Sequence, residues 1–176
     1  MFLNKIKLFL VISICLIFFF LTYNDVKSEE LKIISGIAKV TDGDTIIIDK
    51  KKIRLLGIDA PEKKQKCSKT WLTISFISFS KDYSCGQISS DKLKKRINNK
   101  VLICKWSNKD RYKRFIAECF ENKTNINAWM VRNGYAVAYT KYSKKYVAQE
   151  NIAIKDKLGL WSGTFEMPWD WRKNNN

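Results

Sequence analysis

Residues 37–62 read IAKVTDGDTIIIDKKKIRLLGIDAPE. The stretch holds three short apolar runs, at 38–40, 46–48 and 53–58, separated by Thr41-Asp42-Gly43-Asp44-Thr45 and by Asp49-Lys50-Lys51-Lys52. Short β-branched runs bounded by Asp/Gly and Asp/Lys clusters read as strands joined by hairpin turns. The pattern therefore predicts a three-stranded β-meander, with Asp42-Gly43 as a two-residue hairpin turn. Turn chemistry does not account for Asp44, Arg54 or Asp59-Ala60-Pro61-Glu62. These fall at turns and strand ends, where a rigid sheet presents side chains to a ligand. Two carboxylates with an arginine between them suit a cation-plus-phosphate site. Hard cations take oxygen ligands, and a phosphate oxyanion takes a forked guanidinium.

The order Asp-Gly-Asp-Thr at 42–45, then Arg-Leu-Leu-Gly-Ile-Asp-Ala-Pro-Glu at 54–62, resembles the first half of the staphylococcal nuclease (thermonuclease) family. Asp110-Arg111-Tyr112-Lys113-Arg114 resembles that family's second signature, and the resemblance runs from about residue 34 to about residue 161. It implies a secreted bacterial nuclease that is Ca2+-dependent, cuts DNA and RNA with little sequence preference and leaves 3′-phosphate ends. Carried over by position, Asp44 and Asp59 match the calcium-binding carboxylates. Thr45 lies next to the metal, the Ala60 position supplies a backbone carbonyl, and Asp42 matches an acidic residue nearby. Arg54 and Arg114 match the two phosphate-clamping arginines, and Glu62 matches the carboxylate that activates the attacking water. Arg111, Tyr112 and Tyr139 resemble the residues around the terminal phosphate pocket. The family usually has glycine where this chain has Lys113, so the lysine must make that turn without glycine's freedom at positive φ.

The physical chemistry of the chain points the same way. A phosphodiester repels nucleophiles, and fixed guanidinium donors stabilise the charge that develops in its transition state. Pro61 stiffens the link between Asp59 and Glu62. The chain has no histidine. This excludes Ser-His-Asp and Cys-His machinery and any His-dependent zinc site, and it leaves a carboxylate as the best general base. The net charge of +16 favours polyanions, either nucleic acid or an anionic membrane surface. Part of that excess also reads as a lysine-rich solvated surface.

At 176 residues the length suggests one domain. Lys5 and Lys7 precede an apolar run at 8–21 and a mostly polar stretch at 24–28, the order of a secretory signal. The run is shorter than the ~20 residues of a spanning helix, which favours cleavage after Ser28 over an uncleaved anchor. Residues 1–28 are thus read as a signal and 29–176 as the folded domain, exported to the medium, periplasm or envelope of a bacterium. The exported part keeps four cysteines, Cys67, Cys85, Cys104 and Cys119, which read as two disulfides. Three connectivities are possible. If the runs before Cys104 and Cys119 are adjacent antiparallel strands, those two thiols meet and Cys67 is left with Cys85.

Strands are predicted at 100–105 and 114–121, with helices at about 84–98, 125–133 and 144–158, the last two ended by Gly134 and Gly159. Ser84 and Gln87 have capping-box spacing. Five strands with a helix after the third match an OB-fold barrel, an oligonucleotide-binding architecture. The expected fold class is α+β, a five-stranded OB barrel with about three helices. The segment 71–79, WLTISFISF, predicts a hairpin packed on the barrel and closed by Cys67–Cys85, with a membrane- or partner-facing patch as the alternative. Residues 167–171, MPWDW, are too aromatic for simple disorder. A monomer with no obligate protein partner is expected, touching membrane only through an uncleaved leader. The rival functions are a noncatalytic OB-type binding module and a cationic envelope protein acting through charge.

Overall fold

The 37–62 stretch folds as a meander in the computed structural model, which describes residues 31–175. The leader read at 1–28 lies outside them. Strands β1 (Lys32–Ile37), β2 (Lys39–Asp42), β3 (Thr45–Ile48), β4 (Lys51–Leu55) and a two-residue β5 (Ile58–Asp59) follow one another. β2–β3 and β3–β4 pair antiparallel. Asp49 and Lys50 form the β3–β4 turn with φ of 47° and 63°. Two consecutive positive φ values give the turn whose twist matches a hairpin. Gly43, in the β2–β3 turn, is not at positive φ. A Cβ there would stand 2.1 Å from Ser89 Oγ and 2.6 Å from Ala60 Cβ. Its role is close approach: the turn lies directly against the segment that carries Asp59 and Ala60.

β8 (Val101–Lys109) and β9 (Phe115–Glu121) complete a sheet ordered β1-β8-β9-β4-β3-β2, and β10 (Thr124–Asn125) adds to β9. β4 and β9 run parallel; the other pairs are antiparallel. β1 and β2 lie at opposite ends of this order, yet only Ala38 separates them. One residue cannot cross a flat sheet whose strands lie ~4.8 Å apart, so the sheet curls until its ends approach. The result is a half-barrel, and the α+β class expected for the chain holds. β1 was not foreseen, because its 32–37 run has no clear alternation.

The barrel core is filled by Ile34, Ile46, Ile48, Ile53, Leu55 and Leu102, against Leu93 and Ile97 of α1 (Cys85–Ile97) and Ile126 and Met130 of α2 (Ile126–Arg132). The predicted capping box of α1 does not form. Ser84 makes no side-chain cap bond, and the Gln87 amide donates to Asp91 at 2.9 Å instead. Asn125 does cap α2, accepting from the Ala128 N–H at 2.9 Å. Gly134 (φ 67°) and Gly159 (φ 53°) make the turns predicted for them. The third helix, α3 (Val147–Lys155), is shorter than predicted because Tyr146 is buried in the core, its hydroxyl on Glu118 at 2.5 Å. A fourth helix, α4 (Pro168–Asn175), forms from the aromatic tail.

Both disulfides form as paired from sequence. Cys104 and Cys119 face each other across β8–β9 with Cα atoms 4.0 Å apart, and Cys67–Cys85 spans 5.6 Å. The 71–79 segment is a hairpin of β6 (Cys67–Ile74) and β7 (Ile77–Tyr83), closed by Cys67–Cys85. It does not pack on the barrel. Its strands form a two-stranded sheet of their own, and Trp71 and Phe76 are 66% and 92% exposed. The hairpin is therefore exposed where packing on the barrel was expected.

Replacing Cys104 and Cys119 together by alanine is expected to lower the free energy of unfolding by about 3 kcal/mol, the loop-entropy value for a ring of this size. Urea titration measures it. An unchanged midpoint would mean that the bridge is absent in the folded protein.

Candidate active site

Asp44 leaves the β2–β3 turn and points inward, only 2% exposed. Oδ2 accepts the Ala60 N–H at 2.8 Å, and Oδ1 accepts the Thr45 hydroxyl at 3.1 Å. The Thr45 hydroxyl is therefore committed to holding Asp44. The Asp42 carboxylate accepts the Asp44 N–H at 3.1 Å, an Asx-type turn. Asp59, at the end of β5, has no solvent exposure.

Arg54 joins the two aspartates. The register sets Arg54 opposite Thr45, beside the turn. Nη1 donates to Asp44, and Nη2 donates to Asp59 Oδ1 at 2.5 Å. Burial pushes the Asp44 carboxyl up to about 6 despite Arg54. Asp59 is also raised, again chiefly by burial, although its bond to Arg172 opposes the shift. Two acids removed from water here outweigh the positive charge supplied to them.

Arg172, from α4, reaches the same place and was not anticipated. Its guanidinium donates to Asp59 at 2.7 and 3.2 Å and to Glu62 Oε1 at 2.9 Å. Glu62 thus lies in the cluster with Asp59, its side chain 37% exposed. Its backbone is clamped: the N–H meets Gln65 Oε1 at 3.3 Å, and the carbonyl accepts the Gln65 N–H at 2.7 Å. A Cβ on Gly86, the second residue of α1, would come within 1.7 Å of the Glu62 carbonyl oxygen, so glycine there lets this loop sit against the helix. Trp169 of α4 stacks on Tyr139 at 5.3 Å with the rings 5° from parallel. The signal for both α4 residues was the aromatic tail, but nothing in sequence spacing tied Trp169 to Tyr139 or Arg172 to carboxylates 110 and 113 positions earlier.

The remaining predicted residues divide into two groups. Tyr139 sits just past β11 (Val137–Ala138), which pairs with β5, and its N–H donates to the Gly57 carbonyl at 2.9 Å. Burial and then the Asp59 charge raise its hydroxyl pKa. Arg114 precedes β9, two residues before Ile116, the parallel partner of Arg54. Its N–H and Nε both bind the Asp110 carboxylate, at 2.9 and 2.7 Å. Burial opposes the ionised form of Asp110, but these bonds outweigh it and hold the pKa below the usual carboxylate range. The Arg111 and Arg114 guanidiniums lie 4.8 and 5.4 Å from the centre of the Tyr112 ring. Among the described residues no hydrogen bond joins this loop to the aspartate cluster. Lys113 takes φ of 62° itself, so the turn is kept without glycine and Arg114 stays anchored on Asp110.

A half-barrel of OB type thus gathers Asp44, Asp59, Glu62 and two arginines, Arg54 and Arg172, in one cluster. The family model described as Staphylococcal nuclease homologue matches residues 52–163. A protein of Escherichia coli O157:H7 named Uncharacterized endonuclease is 35% identical over 144 residues, covering 77% of this chain and 82% of its own. A Haemophilus influenzae protein of the same name is 34% identical over 146 residues, covering 78% and 71%. The Arabidopsis thaliana protein Staphylococcal-like nuclease CAN1 is 30% identical over 146 residues, covering 81% of this chain and 40% of its own. The chain belongs to the staphylococcal nuclease homologue family, and its enzyme class is that of a nuclease, a hydrolase acting on ester bonds.

Lys113→Gly is expected to stabilise the fold by about 1 kcal/mol, because a side chain in the left-handed region carries a cost that glycine does not. A raised melting temperature would register it; a lowered one would show that the lysine makes a compensating contact.

Proposed function

We propose that the chain is an exported, Ca2+-dependent endonuclease that hydrolyses phosphodiester bonds of DNA and RNA with little sequence preference and leaves 3′-phosphate ends. The observation that carries this reading is the shared cluster of Asp44, Asp59, Arg54 and Glu62. Export is supported by two disulfides, which persist in oxidising compartments, and by the leader-like order of residues 1–28. The substrate class is supported by the net charge of +16 and by arginines in the cluster, whose guanidiniums suit phosphate charge rather than base sequence.

The residues fit a hard divalent cation. Two buried carboxylates converge through one arginine, and the donors on offer are oxygens. Among the described residues no group of three or more acidic, cysteine or histidine side chains forms a ready cage. The protein would therefore supply Asp44, Asp59 and the Ala60 carbonyl, with Thr45 holding Asp44, and leave the other positions to water and phosphate. Bound there, Ca2+ supplies Lewis-acid charge beside a nonbridging phosphate oxygen.

The chain's own groups do the rest. Glu62 accepts a proton from the attacking water as its oxygen bonds to phosphorus. The P–O5′ bond breaks, and the 5′ oxygen leaves and takes up a proton. Arg54, its side chain 17% exposed between the aspartates, donates to phosphate oxygens as their charge grows. Arg114 would join as the second phosphate donor on leaving Asp110, which holds its Nε at 2.7 Å. Arg111, Tyr112 and Tyr139 line the substrate path.

One observation favours a second reading, a noncatalytic OB-type module: Arg172 already engages both Asp59 and Glu62. One assay separates the two. The exported chain is incubated with single-stranded DNA and with RNA, in Ca2+ or in chelator. Shortening that stops in chelator supports the enzyme, whereas binding without shortening supports the module.

Three substitutions divide the roles. Glu62→Gln is expected to lower kcat by roughly 10²–10⁴, the range for loss of a general base, with calcium affinity little changed. Asp44→Asn is expected chiefly to weaken calcium binding, since it removes a charged ligand. Arg54→Ala is expected to cost on the order of 10³ in rate. It is also expected to cost about 3 kcal/mol of stability, because the aspartates lose their shared partner. If Glu62→Gln loses calcium as badly as Asp44→Asn, Glu62 is a ligand and not the base.

Arg172 competes with any cation for Asp59. Arg172→Ala is expected to tighten calcium binding by roughly tenfold, by removing a positive charge in direct contact with the site. Calorimetric titration reads this, and an unchanged affinity would mean that α4 already stands away from the site in solution.

A further inference from the structure

The β6–β7 hairpin has one apolar face. Leu72 pairs with Phe79 and Ile74 with Ile77, so alternation places all four on the same side. A bulge between Thr70 and Leu72 lets Trp71 join them, its ring 6.4 Å from that of Phe79. The other side is a ladder of hydroxyls, Thr70 with Ser80 and Thr73 with Ser78, each pair at 3.2 Å. Phe76 forms the turn and is 92% exposed. The other five apolar side chains are 39–66% exposed. Trp71 through Phe79 therefore present a continuous apolar patch on a lysine-rich protein, which marks a contact surface.

The same face changes character toward its base. One pleat behind Phe79, Lys69 stands directly opposite Lys81. Like charges in that position repel each other. Neither lysine takes part in an ion pair among the described residues. An apolar tip, then a tryptophan, then paired lysines is the gradient of a bilayer surface: acyl chains, interface, headgroup phosphates. Other occupants match only part of it. Single-stranded nucleic acid would answer the lysines and stack on the aromatic rings, but it leaves the aliphatic Leu72, Ile74 and Ile77 without a partner. A second copy docked face to face would bring two lysine pairs against each other.

We propose that this hairpin is a membrane-surface anchor. It lays Trp71, Leu72, Ile74, Ile77, Phe79 and Phe76 into the headgroup–acyl boundary of an anionic bilayer, with Lys69 and Lys81 on lipid phosphates. The net charge of +16 adds long-range attraction to such a surface. Contact with the membrane then belongs to the folded domain itself and does not depend on retention of the leader. Among the described residues no helix is long and apolar enough to cross a membrane, so the contact is peripheral.

The test uses residues 29–176, since Leu31–Asn176 is a compact unit that holds both disulfides. The protein is sedimented with phosphatidylcholine vesicles, either plain or with about a third phosphatidylglycerol. The expected result is binding to the anionic vesicles. Trp71→Ser/Phe76→Ser/Phe79→Ser should weaken it by at least about tenfold, because affinity follows buried apolar area. Lys69→Gln/Lys81→Gln should remove most of the preference for the anionic lipid. Near-UV circular dichroism and an unchanged melting temperature show that each variant is folded. A wild-type protein that stays in the supernatant overturns the proposal. So does a serine variant that binds as the wild type does, since charge alone would then explain the binding. A dimer that the serine substitutions dissociate, without vesicle binding, assigns the face to a second copy instead.

Discussion

Arg54 bridging Asp44 and Asp59 is the constraint on which the site rests. Both aspartates are buried, and a carboxylate without water or a partner is strongly disfavoured. One guanidinium can serve both only if β4 lies beside the β2–β3 turn with Arg54 level with Thr45. A one-residue slip of that register would carry Arg54 to the opposite face of the sheet. The parallel pairing of β4 with β9 holds the strand from its other side, Ile53 against Phe115 and Arg54 against Ile116. The all-apolar partners of Arg54 in β4, Ile53 and Leu55, are fully buried and lock the same register by packing. The hydrophobic core and the charged cluster are thus set by one alignment, so Arg54 has a structural role whatever it does to substrate.

Residues at the far end of the chain finish the charge balance. Arg172 brings a second guanidinium to Asp59 and ties in Glu62. It can do so because α4 is moored separately. Met167 and Trp169 pack on a small second core of Cys67, Cys85, Val137 and Leu160, with Trp161 and Phe165 beside them. Gln65 stitches the two regions together, its amide donating to the Glu166 carbonyl at 2.7 Å while its own carbonyl group holds the Glu62 N–H. A helix of eight residues would not hold such a position by its own propensity. Tertiary contacts hold it.

What could be read from the sequence follows from the range of the interactions involved. The meander, its aspartates and Arg54 lie within one local stretch, where alternation and turn residues encode the answer. The cysteine pairing was legible because Cys104 and Cys119 end two runs that become neighbouring strands. Arg172 was not legible, since its partners are 110 and 113 residues away in sequence. The hairpin was legible as a hairpin but not as an exposed one. Periodicity gives an apolar face and says nothing about whether anything covers it. Gly43 does lie in the β2–β3 turn, with Asp44 rather than Asp42 beside it in the loop, but its contact role was not legible: a turn glycine and a contact glycine look alike until the neighbouring backbone is known.

The hairpin and the site share an anchor point. Cys67 begins β6, Tyr83 ends β7 opposite it, and the disulfide to Cys85 joins that base to the first residue of α1. The next residue, Gly86, is the one against which the Glu62 carbonyl rests. The hairpin is also joined to Glu62 through residues 63–66, where Gln65 holds both backbone groups of Glu62. The Cys67–Cys85 pair is buried in the second core, and Ser68 is tied to Thr164 by backbone bonds of 2.8 and 2.9 Å. The apolar tip lies beyond this clamp and the proposed base lies inside it. The base of the hairpin is thus held by a disulfide and two backbone bonds, whereas the apolar strands beyond it pair only with each other.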